Sequence, residues 1–386
     1  MPWKTSNLMS IRREFVELVE RGSVPTSELC RRFQISRKTG YKWLALAQLD
    51  RTDALADRSR RPHRSPFQTP DKIVERVLAV RREHPAWGGR KIAAVLRRQR
   101  MAAVPAPSTI SHILRRAGLL GVSKPGCGAT YERFEHAAPN DLWQIDFKGD
   151  FGVGEQRCHP LTALDDHSRF NLVLTACTAK EKDRPAVQAA LEGVFRRYGM
   201  PISINVDNGP PWGTPLLPGR SLSMLAIWWV RLGIRVSFST PGHPQTNGKE
   251  ERFHRSLKAE VLNGRTFVDF DEVQHAFDRW RDVYNHHRPH EGIDMAVPAD
   301  RYHASVRVFP EALPPIEYGP NDQVAVVKKN GLTRFGKLRV TLPWRLRYLT
   351  VALRQRANED GIADIYFCHH RLMTIDLAET NPQIIV

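Results

Sequence analysis

The apolar residues of this chain change their spacing twice, and no single layered domain accommodates all three patterns. Up to about residue 120 they recur at helical intervals. Ile11, Phe15, Val16 and Val19 form one stripe, broken by Gly22 and Pro25. Thr26 or Ser27 can cap a second helix bearing Leu29, Cys30 and Phe33, and Ser36 can cap a third over 37–47. Ile73, Val74, Val77 and Val80 start a similar group, followed by a turn at Trp87-Gly88-Gly89 and helices over 91–98 and 108–117. From about 140 short apolar runs take over, at 142–147, 160–164 and 170–176. An amphipathic helix follows (Val187, Leu191, Val194, Phe195, Tyr198), closed by Gly199 and Pro201. Then come a strand at 202–206, a helix rich in Leu225, Trp228 and Trp229, a strand at 234–238, and helices at 249–262 and about 268–285. Residues 322–377 are β-rich, with a hairpin signal at Asn330-Gly331 and further strands at 338–342, 349–353 and 363–368.

The expected organisation is therefore multidomain. It comprises an all-α helix-turn-helix module at 1–50, an Arg/Pro-rich linker at 51–70 and a second helix-turn-helix module at 71–125. A mixed α/β core at 135–305 and a small β-barrel-like domain at 320–386 follow. Charge follows the same division. Residues 1–140 hold 27 Lys and Arg against 12 Asp and Glu, and the rest of the chain 31 against 29. Positive charge gathered into one segment points to a polyanion, with double-stranded DNA the best fit. Arg37, Lys38, Tyr41 and Lys42 open the third helix, as in a helix that enters a major groove. Arg58, Arg60, Arg61 and Arg64 in the linker can track phosphates, and Arg90, Lys91, Arg115 and Arg116 repeat the basic theme in the second module. No apolar run approaches the roughly 20 residues that span a membrane, and the five cysteines are scattered without a CxxC pair. A cytoplasmic, nucleoid-associated protein is expected.

Three carboxylates stand out in the nearly neutral core. Asp146 lies inside the apolar run Trp143-Gln144-Ile145-Asp146-Phe147, where an unpaired charge is expensive and a divalent cation such as Mg2+ would relieve it. Asp207 closes a strand before Asn208-Gly209, a position that suits a ligand site or an Asx turn. Glu251, His254, Arg255 and Lys258 share one helical face, with Glu250 a rival for the acidic role. Asp165 and Asp166 also follow an apolar run, but Ser168 and Arg169 beside them point to a locally paired turn.

Five segments carry a resemblance in order: Trp143 to Asp146, Ala163 to Arg169, Val206 to Gly209, Pro241 to His254 and Tyr284 to His290. Together they resemble the catalytic core of DDE transposases and retroviral-type integrases, above all bacterial insertion-sequence transposases. The resemblance implies an RNase H-like core in which Asp146, Asp207 and Glu251 hold two Mg2+ ions about 3.5–4 Å apart, with Mn2+ a substitute. It makes Lys258 a DNA contact, with Arg252, His254 and Arg255 beside it. It implies binding of terminal inverted repeats, cutting of the ends and joining of the 3′-OH to target DNA by a homo-oligomer. The 43 residues between Asp207 and Glu251 exceed the family's usual spacing, and Pro210–Ser223 would take up the excess as a loop. A DNA-binding regulator with a silent core and an RNase H-like nuclease are the alternatives.

Overall fold

A computed structural model describes residues 8–48, 55, 68–120, 135–213, 222–239, 248–357, 359, 361–377 and 384–385. The chain divides into two units, 1–68 and 69–386. In the first, α1 (Leu8–Glu20), α2 (Thr26–Arg32) and α3 (Arg37–Ala47) close over Phe15, Val16, Leu29 and Cys30. Gly40 lets α3 approach closely, because a Cβ there would stand 2.6 Å from Cys30 Sγ. Ser36 caps α3 as expected, its hydroxyl accepting from the Thr39 amide at 3.1 Å. Neither Thr26 nor Ser27 caps α2: Pro25 holds that position and Thr26 is already helical. The linker arginines Arg58, Arg60, Arg61 and Arg64 lie outside the described residues.

The second unit begins with α4 (Asp71–Glu83), α5 (Gly89–Arg98) and α6 (Pro107–Arg116), packed on Val77, Trp87, Ile92, Leu96, Ile110 and Leu114. The central sheet is built from β1 (Leu142–Phe147), β2 (Phe151–Val153), β3 (Gln156–Asp165), β4 (Asn171–Cys177), β5 (Ser203–Val206) and β6 (Arg235–Phe238). β3 pairs antiparallel with β4 and β1; β1, β5 and β6 run parallel, and β2 pairs with the start of β3. The short β2 was not expected from the sequence. One face of the sheet (Trp143, Ile145, Leu161, Ala163) packs with α7 (Arg184–Tyr198) and α8 (Met224–Arg231). The other (Cys158, Leu164, Leu174) packs with α9 (Gly248–Leu257) and α10 (Phe270–His286). The helix expected over 249–262 ends in a π turn, Lys258–Leu262, with the Asn263 amide bonded five residues back to the Lys258 carbonyl at 2.8 Å.

The C-terminal strands are β7 (Gln323–Val326), β8 (Leu332–Phe335), β9 (Leu338–Thr341), β10 (Thr350–Gln355), β11 (Ile362–Phe367), β12 (His370–Asp376) and β13 (Ile384–Ile385). They form a five-stranded antiparallel sheet ordered β13-β12-β11-β10-β7 and a separate β8–β9 hairpin. Among the described residues the sheet does not close, so the barrel expectation holds only as a small β-domain. Asn330-Gly331 links β7 to β8, which do not pair; the hairpin reverses at Gly336 instead, at φ +59°.

Candidate active site

Asp146 is the penultimate residue of β1, and Asp207 directly follows β5. These strands are parallel neighbours in the register Leu142↔Ser203, Trp143↔Ile204, Gln144↔Asn205. Carried on by two residues, that register sets Asp146 level with Asp207 at the carboxyl ends of the strands, where open sheets place ligands. On the other side Asp146 pairs with Thr162 of β3. Trp143 and Ile145 face α7 and α8, so strand alternation turns Asp146 to the face covered by α9 and α10. α9 brings Glu251 there in its first turn.

The electrostatics agree with this placement. Burial, then the Asp207 carboxylate, push the Asp146 carboxyl up to about 6; Glu251 acts in the same sense, against a hydrogen bond from the Phe147 amide and the charge of Lys182. Asp207 is raised by burial, against the Gly209 amide, which donates to it at 3.0 Å, and again Lys182. Three acidic groups thus share one field. Among the described residues no three His, Cys, Asp or Glu side chains stand close enough to grip one ion as they are. The donor set is nevertheless all carboxylate oxygen, which suits a hard divalent cation, and the raised Asp146 shows that positive charge would relieve the cluster.

Glu250 and Glu251 part company. Glu250 is buried, and its Oε2 accepts from Thr162 Oγ1 at 3.1 Å. Complete burial, with Asp146 nearby, raises it well above the ordinary carboxyl value. Glu251 is exposed. His254, expected on the face with Glu251, turns instead toward the sheet: its Nε2 lies 2.9 Å from Thr162 Oγ1, and burial pushes its pKa down to about 4. It is poorly placed to meet DNA. Arg252, Arg255 and Lys258 are exposed.

Sequence reasoning missed two cations. Lys182, on the turn before α7, lies 5.2 Å from the Phe147 ring centroid and acts on both aspartates. Lys148 follows β1, and its charge meets Lys258 and His254. Lys148 sits just past Asp146, but only the fold brings Lys182 to the site. The expected turn at Asp165 is present, its Oδ2 accepting from the Ser168 amide at 2.8 Å. Of the expected loop Pro210–Ser223, residues 214–221 lie outside the described residues; Gly213 and Leu222 on either side of them form an antiparallel bridge.

The helix-turn-helix residues divide as well. Arg37, Lys38, Tyr41 and Lys42 on α3 are exposed, and among the described residues none of the three cations has a carboxylate partner. On α6, Arg115 and Arg116 are exposed, Arg115 lying 3.0 Å from His112 Nδ1. Arg90 and Lys91 of α5 instead face acids of the core, Glu291 at 3.5 Å and Glu260 at 3.9 Å. Lys91 is largely buried there, so it belongs to packing rather than to a DNA-facing surface.

Comparison with known proteins follows the same lines. Residues 136–244 and 232–298 each match an integrase core domain family. Residues 11–63 match a helix-turn-helix domain and 39–114 a homeodomain-like domain. The chain is 25% identical over 232 residues to the insertion element IS407 uncharacterized 31.7 kDa protein of Burkholderia multivorans, covering 59% of this chain and 79% of that protein. It is 28% identical over 180 residues to the insertion element IS476 uncharacterized 39.2 kDa protein of Xanthomonas euvesicatoria, spanning 46% of this chain and about half, 48%, of that one. Against the transposase for insertion sequence element IS904 of Lactococcus lactis it is 25% identical, over 43% of this chain and 63% of the relative. The HTLV-2 integrase catalytic core domain in complex with magnesium aligns at 17% identity over 43% of this chain and 99% of that one, with a TM-score of 0.32, too low to carry an inference.

Proposed function

We propose that this chain, which joins an integrase core domain to helix-turn-helix modules and is similar to insertion-element transposases, is itself a DNA transposase. It would bind the terminal inverted repeats of a mobile element, cut the ends and join the freed 3′-OH to target DNA, working as an assembly of identical chains. The observation that carries this reading is the placement of three carboxylates: Asp146 and Asp207 level at the carboxyl ends of the parallel neighbours β1 and β5, with Glu251 in the first turn of α9; the raised Asp146 carboxyl agrees with it. Asp146, Asp207 and Glu251 would hold Mg2+, or Mn2+ in its place. Bound ions would supply Lewis acidity toward the attacking and leaving oxygens of phosphoryl transfer.

The protein's own groups do the rest. Lys148, Lys258 and Arg255 would take the phosphate backbone beside the carboxylates, and Lys182 would offset their repulsion before a cation arrives. The modules at 1–50 and 71–125 would grip the element's ends, with α3 and α6 as the helices presented to DNA, while 135–305 cuts and joins.

The test presents labelled duplex ends, taken from the DNA flanking the gene, with Mg2+. Asp146→Asn, Asp207→Asn and Glu251→Gln are each expected to abolish joined product while end binding persists. Full activity in all three variants would overturn the assignment. Glu250→Gln is expected to stay active, since an amide at that position can still accept from Thr162. Binding by the unaltered protein without Mg2+-dependent cleavage would instead mark a regulator with a silent core.

A further inference from the structure

The first turn of α9 is held at two successive residues, and both holds come from β3 or the residue just past it. Glu250 accepts from Thr162 Oγ1 at 3.1 Å. Lys249, one residue earlier, donates its ammonium to Asp166 Oδ1. The Asp166 side chain is fully buried, and it is surrounded by donors. Gln144 Nε2 of β1 donates to Oδ1 at 3.0 Å, the His136 amide donates to Oδ2 at 2.9 Å, and His136 Nδ1 lies 3.1 Å from the same oxygen. Burial alone would raise this carboxyl; the Lys249 ammonium and the His136 contacts outweigh it and keep Asp166 below its ordinary value. A buried ion pair of this kind costs about as much as it returns in stability, so its presence calls for a role in fixing geometry.

We propose that Asp166 and Lys249 are positioning residues for the proposed transposase site: their ion pair, with Thr162 gripping Glu250, fixes the phase of α9 so that Glu251 meets Asp146. Successive helical residues turn by about 100°. With Lys249 drawn to Asp166 and Glu250 drawn into the sheet, Glu251 is the next residue round and is the exposed one. Neither Asp166 nor Lys249 is expected to touch DNA or metal. Both act through the helix, and the inference rests on the functional reading above.

The test compares the full-length protein with Lys249→Met, Lys249→Arg and Asp166→Asn by three measurements. The first is amide hydrogen exchange of residues 250–255 in the metal-free protein. The second is affinity for Mn2+ alone, by titration. The third is kcat and KM for cutting the labelled flanking duplex. Lys249→Met leaves Asp166 its Gln144 and His136 donors, so the fold survives even where Asp166→Asn proves unstable. Expected for Lys249→Met are roughly tenfold faster exchange in that turn, Mn2+ binding weakened on the order of 10-fold and kcat lowered on the order of 10²-fold, with KM for DNA within about twofold. Lys249→Arg, which keeps the charge, should recover most of kcat. Unchanged exchange and Mn2+ affinity in Lys249→Met, or a kcat equal to that of the unaltered protein, overturns the inference. If Asp146→Asn is inactive while Lys249→Met is fully active, only the positioning role fails. If Asp146→Asn is itself active, the catalytic reading has failed first.

Discussion

The chain carries two helix-turn-helix modules of similar pattern and opposite surroundings. In the first, the basic residues that open α3 form no ion pair with a carboxylate among the described residues. In the second, α5 is engaged by the core: Arg98 makes a bidentate pair with Asp300 at 2.5 and 3.0 Å, Arg90 meets Glu291, and Lys91 meets Glu260. Val283 of α10 also packs on the second module's apolar cluster. Similar patterns of helix and positive charge therefore serve two purposes. One module presents its charge, and the other uses part of its charge to pack against the integrase-like core, leaving α6 as its exposed basic helix.

The most drastic way to break this contrast is truncation. Removing 1–68 should leave the unfolding midpoint of the remainder unchanged and weaken binding of DNA ends on the order of 10²-fold at physiological salt. Removing 1–120 should destabilise the core by about 3–5 kcal/mol in denaturant titration, because Glu260, Glu291 and Asp300 lose cations and Val283 loses its cover. Equal stability of the two truncations would erase the distinction. Next in size is Lys91. Burial, then Arg288, push its pKa down to about 8 from 10.5, against the pull of Glu260 and Glu291. Between those values the unfolded chain keeps a proton that the folded chain has released, so stability should rise as pH climbs from 8 to 10.5. Lys91→Met should flatten that rise in pH-dependent melting. A smaller effect is expected for Arg98 and Asp300, both partly exposed: a double-mutant cycle to Ala should give a coupling near 0.5–1 kcal/mol. Smallest in stability are Arg37→Ala and Lys42→Ala, which should not shift melting. Each should instead lower the salt dependence of DNA binding by about one ion, and a change in melting with no change in salt slope would remove α3 from the interface.

The sequence made the large divisions legible because periodicity reports burial directly. Val77 and Val80, or Leu161 and Ala163, repeat at the spacing of the element they occupy and are all buried. What failed was short or long-range. Three residues, Phe151–Val153, are too few to show a period, and strand signals after 322 could not reveal whether the sheet closes. In the candidate site, the ordered motifs singled out Asp146, Asp207 and Glu251, which the fold sets on β1, just past β5 and on α9. The duties of Asp166, Thr162 and Lys182 were not legible, because each depends on a partner far along the chain. Lys91 was misread for the same reason: a basic residue looks the same in sequence whether it faces solvent, as Arg90 largely does, or a carboxylate folded against it.

The helical run that begins at α9 closes in the π turn at Lys258–Leu262. At about 100° per residue, positions nine apart stand half a turn round from each other, so Glu251 and Glu260 serve opposite faces of one element. Upstream, Glu251 and Arg255 keep the α-helical count that points them outward. Glu260, within the π turn, faces inward, where Arg288 at 2.9 Å, Trp280 Nε1 at 3.0 Å and Lys91 converge on it. One short helical run thus joins the candidate-site carboxylate Glu251 to the Glu260 contact that holds the second module against the core.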